Sequence, residues 1–237
     1  MTGDVRHKLL ENLCALIRRM RPSKKPFIVG ITGIDGSGKT ELARELEHAL
    51  KRCNQEVQTI HVDDFHNPKS VRYVPDLPEP QQYYMLSINF KRLVNEVLLP
   101  IKRYGELHTT LTVLDLHTDR WLLQRHYTVT SNTVVLLEGV FLFRPEIRPY
   151  VDLFVYLHVT EDVAIQRARV RDVPTQGEGV LRKYKVKYLP AQREYLQRFC
   201  PERYADVVID NCDWKNPRVR IWPEMMFPEV SDDYKKF

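Results

Sequence analysis

Phe27-Ile28-Val29-Gly30-Ile31-Thr32 runs without a break into Gly33-Ile34-Asp35-Gly36-Ser37-Gly38-Lys39-Thr40, and how this stretch is read decides the fold. The first six residues are apolar and largely β-branched, short enough for a buried strand. The next eight satisfy G-x-x-x-x-G-K-[ST], the P-loop pattern whose backbone amides and following helix N-terminus bind phosphate. Beyond Thr40, Leu42, Ala43, Leu46, Ala49 and Leu50 recur at helical spacing with Glu41, Glu45 and Glu47 among them. The order is therefore strand, glycine turn, helix, the opening of a parallel α/β domain. In such a loop Gly33, Asp35, Gly36, Ser37 and Gly38 cradle the nucleotide, Lys39 reaches the β- and γ-phosphates, and Thr40 holds magnesium, which makes ATP and Mg2+ the expected cofactors.

Working outward, strand-like runs occupy Val57 to Val62, Thr110 to Leu116, Thr133 to Leu137, Leu153 to Val159 and Ala205 to Ile209, mostly with helical stretches between them. The predicted fold is a three-layer P-loop NTPase α/β fold, a mostly parallel central sheet flanked by helices. Val5, Leu9, Leu13, Leu16, Ile17 and Met20 mark an amphipathic N-terminal helix. Pro68, Pro75, Pro78 and Pro80 predict an irregular loop over 66–82, and Pro174, Gly177 and Gly179 predict another over 172–180. The whole chain, 1–237, reads as one kinase-sized domain. Residues 1–25 are its leading helix and linker, and 213–237 form an irregular tail wrapped over the body.

Composition narrows the class. The four cysteines, Cys14, Cys53, Cys200 and Cys212, include no C-x-x-C pair, so neither a zinc site nor a disulfide framework is expected. No apolar run approaches the ~20 residues of a membrane span and no signal peptide opens the chain, so a cytoplasmic enzyme is expected. The net charge of +5 suits a nucleoside triphosphate as well as nucleic acid, but the basic residues are dispersed rather than gathered into a stripe. A small-molecule substrate is therefore expected over nucleic acid, with a homo-oligomer left open.

Two strand ends carry chemistry. Thr133 to Leu137 leads into Glu138-Gly139, which puts an acid at the carboxyl edge beside the P-loop, a candidate for magnesium. Val57 to Val62 ends in Asp63-Asp64-Phe65-His66. One of these acids could take a proton from an acceptor hydroxyl and the other help hold a magnesium-bound water. Tyr83 and Tyr84 could line an acceptor pocket, although aromatics at such spacing more often serve the core.

The segments Gly30 to Thr40, Val62 to His66, Val134 to Phe141 and Arg167 to Asp172 together resemble the uridine kinase family of P-loop kinases, and Arg203 to Asp210 resembles its last strand. The resemblance spans about residues 25 to 212. It implies transfer of the γ-phosphoryl group of ATP to a nucleoside such as uridine, with Asp63 as general base at the position of the family's D-S-F-Y aspartate. Asp64 and His66 stand where that motif has serine and tyrosine; Asp64 is kept as a magnesium candidate and His66 as an acceptor contact. Arg167 and Arg171 match arginines of the family's phosphate lid.

The substrate half departs further. The family's ribose-binding aspartate corresponds to Asn89, an amide without the charge that strengthens such a bond. In its base-reading hairpin, Asp115 and Arg120 align directly and His117 aligns with a shift. Gln176 and Glu178 replace two further lid arginines. The rival expectation is a P-loop ATPase or nucleotide-dependent switch acting on a nucleic-acid or protein partner.

Overall fold

The computed structural model describes residues 2–223, so the tail beyond Pro223, with Pro228, lies outside the described residues. Helix α1 (Thr2–Met20) precedes strand β1 (Phe27–Gly33), whose seven residues are all buried, as expected for a strand covered on both faces. Helix α2 (Lys39–Arg52) follows the P-loop, and β2 (Val57–His61) leads into a 3-10 turn at Val62–Phe65. Two short helices come next, α3 (Lys69–Arg72) and α4 (Glu79–Leu86). A π-helical turn at Val94–Leu98 joins α5 (Phe90–Leu93) to α6 (Leu99–Tyr104). Strands β3 (Leu107–Asp115) and β4 (Arg120–Val129) form a hairpin, and β5 (Val134–Gly139) and β6 (Leu153–His158) return to the core.

The last third contains α7 (Glu161–Arg171), α8 (Val173–Gln176), α9 (Gly179–Lys183), a π turn at Tyr184–Tyr188, α10 (Leu189–Phe199) and α11 (Pro201–Tyr204). Strands β7 (Val207–Asp210) and β8 (Arg218–Ile221) end the described chain. The main sheet has the order β2-β5-β1-β6-β7-β8, parallel throughout except for β8, which pairs antiparallel with β7. One face packs Val29, Leu136 and Val155 against Leu13 and Leu16 of α1 and Leu46 of α2. The other packs Ile28 and Leu137 against Phe65, Phe141 and Tyr195. This is the three-layer arrangement expected. Among the described residues no helix is long and apolar enough to cross a membrane.

Four local expectations are corrected. The 66–82 stretch is not irregular throughout: Pro78 is the N-cap of α4 and Pro80 lies in its first turn, where the missing N–H costs nothing. Segment 172–180 holds α8, with Pro174 likewise at its start. Thr110 to Leu116 does not join the central sheet, because β3 and β4 pair only with each other. The predicted irregular tail contributes a regular edge strand, β8, before its end.

Candidate active site

At the carboxyl edge of β1 the chain turns through Gly36 (φ 78°) and Gly38 (φ 92°), both in the left-handed region that glycine enters without strain. Space closes the argument. A Cβ on Gly36 would stand 3.0 Å from the Ala164 carbonyl oxygen, and one on Gly38 would stand 2.9 Å from Asn211 Nδ2. Gly38 caps α2 without a side-chain bond, so the first amides of the helix stay open to an anion. The Lys39 ammonium is buried and donates to the Ile34 carbonyl at 3.0 Å, folded over the loop that would receive phosphate. A nucleotide's phosphates fit this cradle by charge and by the turn's need for glycine.

Strand β5 lies between β2 and β1, which brings Glu138 beside both neighbours. Its Oε1 accepts from Thr40 Oγ1 at 3.1 Å and pairs with His61 Nδ1 at 2.6 Å. Its Oε2 has no hydrogen-bond partner among the described residues, leaving one carboxylate oxygen for a magnesium-bound water. Burial raises the Glu138 pKa, but the His61 bond, the Lys39 charge and the Thr40 hydroxyl outweigh it and hold the carboxyl below its ordinary value. His61 is the group that the sequence reading missed; only the β2–β5 register, His61 opposite Glu138, discloses it. No cluster of three His, Cys, Asp or Glu able to hold a metal ion occurs among the described residues.

The 3-10 turn after β2 sends the two acids in different directions. Asp63 is 73% exposed and has no side-chain hydrogen bond; the nearest group is His66, whose Nδ1 lies 4.0 Å from Asp63 Oδ1 and 2.8 Å from the Asp63 carbonyl. Surrounding protein raises its pKa, and the Glu138 and Asp35 carboxylates do so too, against the charges of His66 and Lys39. Because the carboxylate is largely exposed to water, the crowding acts fully only when an acceptor displaces that water. Asp64 is buried and fully engaged, accepting from Arg125 Nε at 2.9 Å and Tyr127 Oη at 3.1 Å. It ties the hairpin to the sheet, so the assignment of Asp64 to magnesium is withdrawn.

The two lid arginines also diverge. Arg167 lies behind the P-loop: Nη1 donates to the carbonyls of Gly36 (3.0 Å) and Ser37 (3.2 Å), and Nη2 to those of Asn211 (2.5 Å) and Cys212 (3.3 Å). Buried Asn211 adds Nδ2 to Ser37 O at 2.7 Å. Arg171, at the end of α7, is 64% exposed, with Nε and Nη2 on Asp172 at 2.6 and 3.0 Å and Nη2 also on Tyr184 Oη at 3.0 Å. Its Nη1 carries no partner among the described residues.

On the acceptor side, Asp35 Oδ2 accepts from Tyr83 Oη and from Gln192 Nε2, each at 2.7 Å. Tyr84 instead packs edge-on against Phe141 under Arg144. Asn89 is the N-cap of α5, its Oδ1 accepting from the Arg92 amide at 2.9 Å. Asp115 closes the hairpin turn, accepting from the His117 amide (2.9 Å) and the Thr118 hydroxyl (2.7 Å), while His117 and Arg120 are exposed at the tip. The tip docks on α3 through Asp119, which accepts from the Lys69 amide at 3.0 Å. The structure thus brings Lys39, Thr40, Glu138, Asp63 and Asp35 close together at the carboxyl edge of the sheet and gives Asn89, Asp115 and Asp64 structural bonds.

Comparison with known proteins agrees with this geometry. The model of the phosphoribulokinase / uridine kinase family matches residues 28–216. A uridine kinase from Geobacillus sp. (strain WCH70) is 27% identical over 192 residues, covering 78% of this chain and 86% of that protein. Uridine-cytidine kinase B of Dictyostelium discoideum is 27% identical over 198 residues, covering 79% and 75%. Among solved structures, a possible uridine kinase from Bacillus stearothermophilus superimposes with a TM-score of 0.66 at 28% identity, covering 85% of this chain and 97% of that one.

Proposed function

The chain belongs to the phosphoribulokinase / uridine kinase family and is a phosphotransferase, and on that premise we propose that it transfers the γ-phosphoryl group of ATP to the hydroxyl of a nucleoside such as uridine. The observation that supports this most is the placement of Asp63 and Glu138 at the ends of adjacent strands: one carboxylate bound by Thr40 of the P-loop, the other free in the cleft. Such a pairing separates a metal-side acid from an acceptor-side base. When bound, the magnesium nucleotide would supply the phosphoryl group and part of the neutralising charge.

The chain's own residues do the rest in this reading. Lys39 exchanges the Ile34 carbonyl for a phosphate oxygen and stabilises charge on the transferring group. Thr40 and Glu138 would hold the magnesium and its water. Asp63 takes the acceptor's proton, and a pKa raised from the carboxylate norm makes it the stronger base. Arg171 offers its unpaired Nη1 to the phosphoryl group from the lid side. The nucleoside as acceptor rests on the names of the relatives.

The test is ADP release from Mg-ATP across nucleosides, sugars and vitamin-like alcohols, with Lys39→Ala protein as background. Release that depends on a nucleoside supports the proposal. Slow release indifferent to every acceptor would replace it with an ATPase or switch.

A further inference from the structure

Asp35 occupies a variable position of the P-loop, where phosphate binding asks only for backbone amides. A carboxylate there faces a cost, because it repels the triphosphate that the loop receives. Its surroundings show where that side chain is directed instead. The Asp35 amide donates to Gln192 Oε1 at 3.2 Å, Gln192 Nε2 returns a bond to Oδ2 at 2.7 Å, and Tyr83 Oη adds a second donor to the same oxygen at 2.7 Å. Gln192 is 2% and Tyr83 8% exposed, so this clamp is dry and the carboxylate is held in one orientation. Oδ1, by contrast, has no partner among the described residues.

Both clamping residues belong to the acceptor side. Tyr83 is on α4, in the segment that leaves the Asp63 turn, and its ring packs against Tyr188 with centroids 4.8 Å apart. Gln192 is on α10, which packs against α4. Asn89, the other polar residue expected to meet a ribose, uses its oxygen to cap α5. Apart from Glu138, which is tied to Thr40 on the nucleotide side, Asp35 is therefore a fixed, charged acceptor of hydrogen bonds beside the base Asp63.

We propose that Asp35 is a specificity-determining residue whose Oδ1 receives a second hydroxyl of the acceptor, so that the enzyme selects polyhydroxy acceptors, ribosyl or sugar-like, over those with a single hydroxyl. This rests on the kinase reading above. A fixed carboxylate bound to a hydroxyl orients the acceptor as well as holding it, because the hydroxyl delivered to Asp63 is then placed by the one bound at Asp35. The same charge disfavours acceptors that present phosphate or carboxylate to this part of the cleft.

The test compares uridine with its 2′-deoxy and 3′-deoxy counterparts in wild type, Asp35→Asn and Asp35→Ala, with KM for ATP measured in each and melting temperature as the folding control. In Asp35→Asn the amide oxygen must take the Oδ2 place, where two donors converge, which turns an N–H2 toward the acceptor and reverses the polarity of the site. In wild type, removal of the recognised hydroxyl should lower kcat/KM by about 10- to 100-fold. Both variants should lower kcat/KM for uridine by a larger factor than for that deoxy compound and so narrow the gap between the two, Asp35→Asn less than Asp35→Ala because its amide can still donate to a hydroxyl. Equal losses for uridine and both deoxy compounds, or a raised KM for ATP with acceptor KM intact, would overturn the inference while the kinase reading stands. No acceptor-dependent turnover in wild type would remove both.

Discussion

Replacing Arg167 with alanine decides between two places for its charge, on the phosphates or behind the loop. Its four bonds run to backbone carbonyls, two on the P-loop and two on the Asn211–Cys212 segment that follows β7. Counting only the shorter bond of each nitrogen, and taking the low end for charged bonds because the residue is only half-buried, each contributes about 1.5 kcal/mol. The substitution should then cost about 3 kcal/mol, a fall in melting temperature of roughly 6–12 °C for a domain of this size. Ser37 O keeps its bond from Asn211, which argues against a much larger loss. Arg167→Lys sharpens the test: one ammonium cannot bridge two segments as a guanidinium fork does, so lysine should fall within about 1 kcal/mol of alanine. Calorimetry together with ATP titration would measure both effects. An unchanged melting temperature with a collapse of kcat that lysine restores would put Arg167 on the phosphate and refute the brace.

Asp63→Asn should lower kcat by about 10²- to 10⁴-fold with ATP affinity preserved in calorimetric titration, and an unchanged kcat would remove Asp63 from proton transfer. Tyr127→Phe deletes a buried hydroxyl bonded to Asp64, so the urea midpoint should drop by the equivalent of about 1 kcal/mol with the slope unchanged; no shift would mean that the hairpin tether carries no stability. At Asp172, burial raises the pKa, but the Arg171 bond and charge and the Tyr184 hydroxyl prevail and hold the carboxyl below its ordinary value. A depressed folded pKa means stability that is present above the unfolded value and lost as pH falls through the folded one. The advantage of wild type over Asp172→Asn should accordingly be full at pH 7 and shrink below about pH 4; an advantage undiminished at pH 2 would contradict it.

What the sequence discloses and what it hides divide along a physical line. The strand-loop-helix order around the P-loop is legible because local backbone demands, glycine at positive φ and an apolar run before it, are written in neighbouring residues. Glu138 is legible for a similar reason, as an acid at the end of an apolar strand. His61 is not, because its meeting with Glu138 depends on β2 pairing with β5, a neighbour more than seventy residues away. Asp63 and Asp64 are equivalent in sequence; only the 3-10 turn exposes one and delivers the other to Arg125 and Tyr127. Asn89 and Asp115 have the chemistry to bind a substrate but also the chemistry to cap a helix and close a turn, and local bonds, cheap in entropy, take precedence. The P-loop position of Asp35 suggests a phosphate contact, yet Tyr83 and Gln192, distant in sequence, both donate to its carboxylate. In the proposed reaction the nucleotide half would fall to residues fixed by the local chain and the choice of acceptor to those fixed by long-range packing, which is why the activity class can be read from this sequence and the acceptor has to be argued from the folded site.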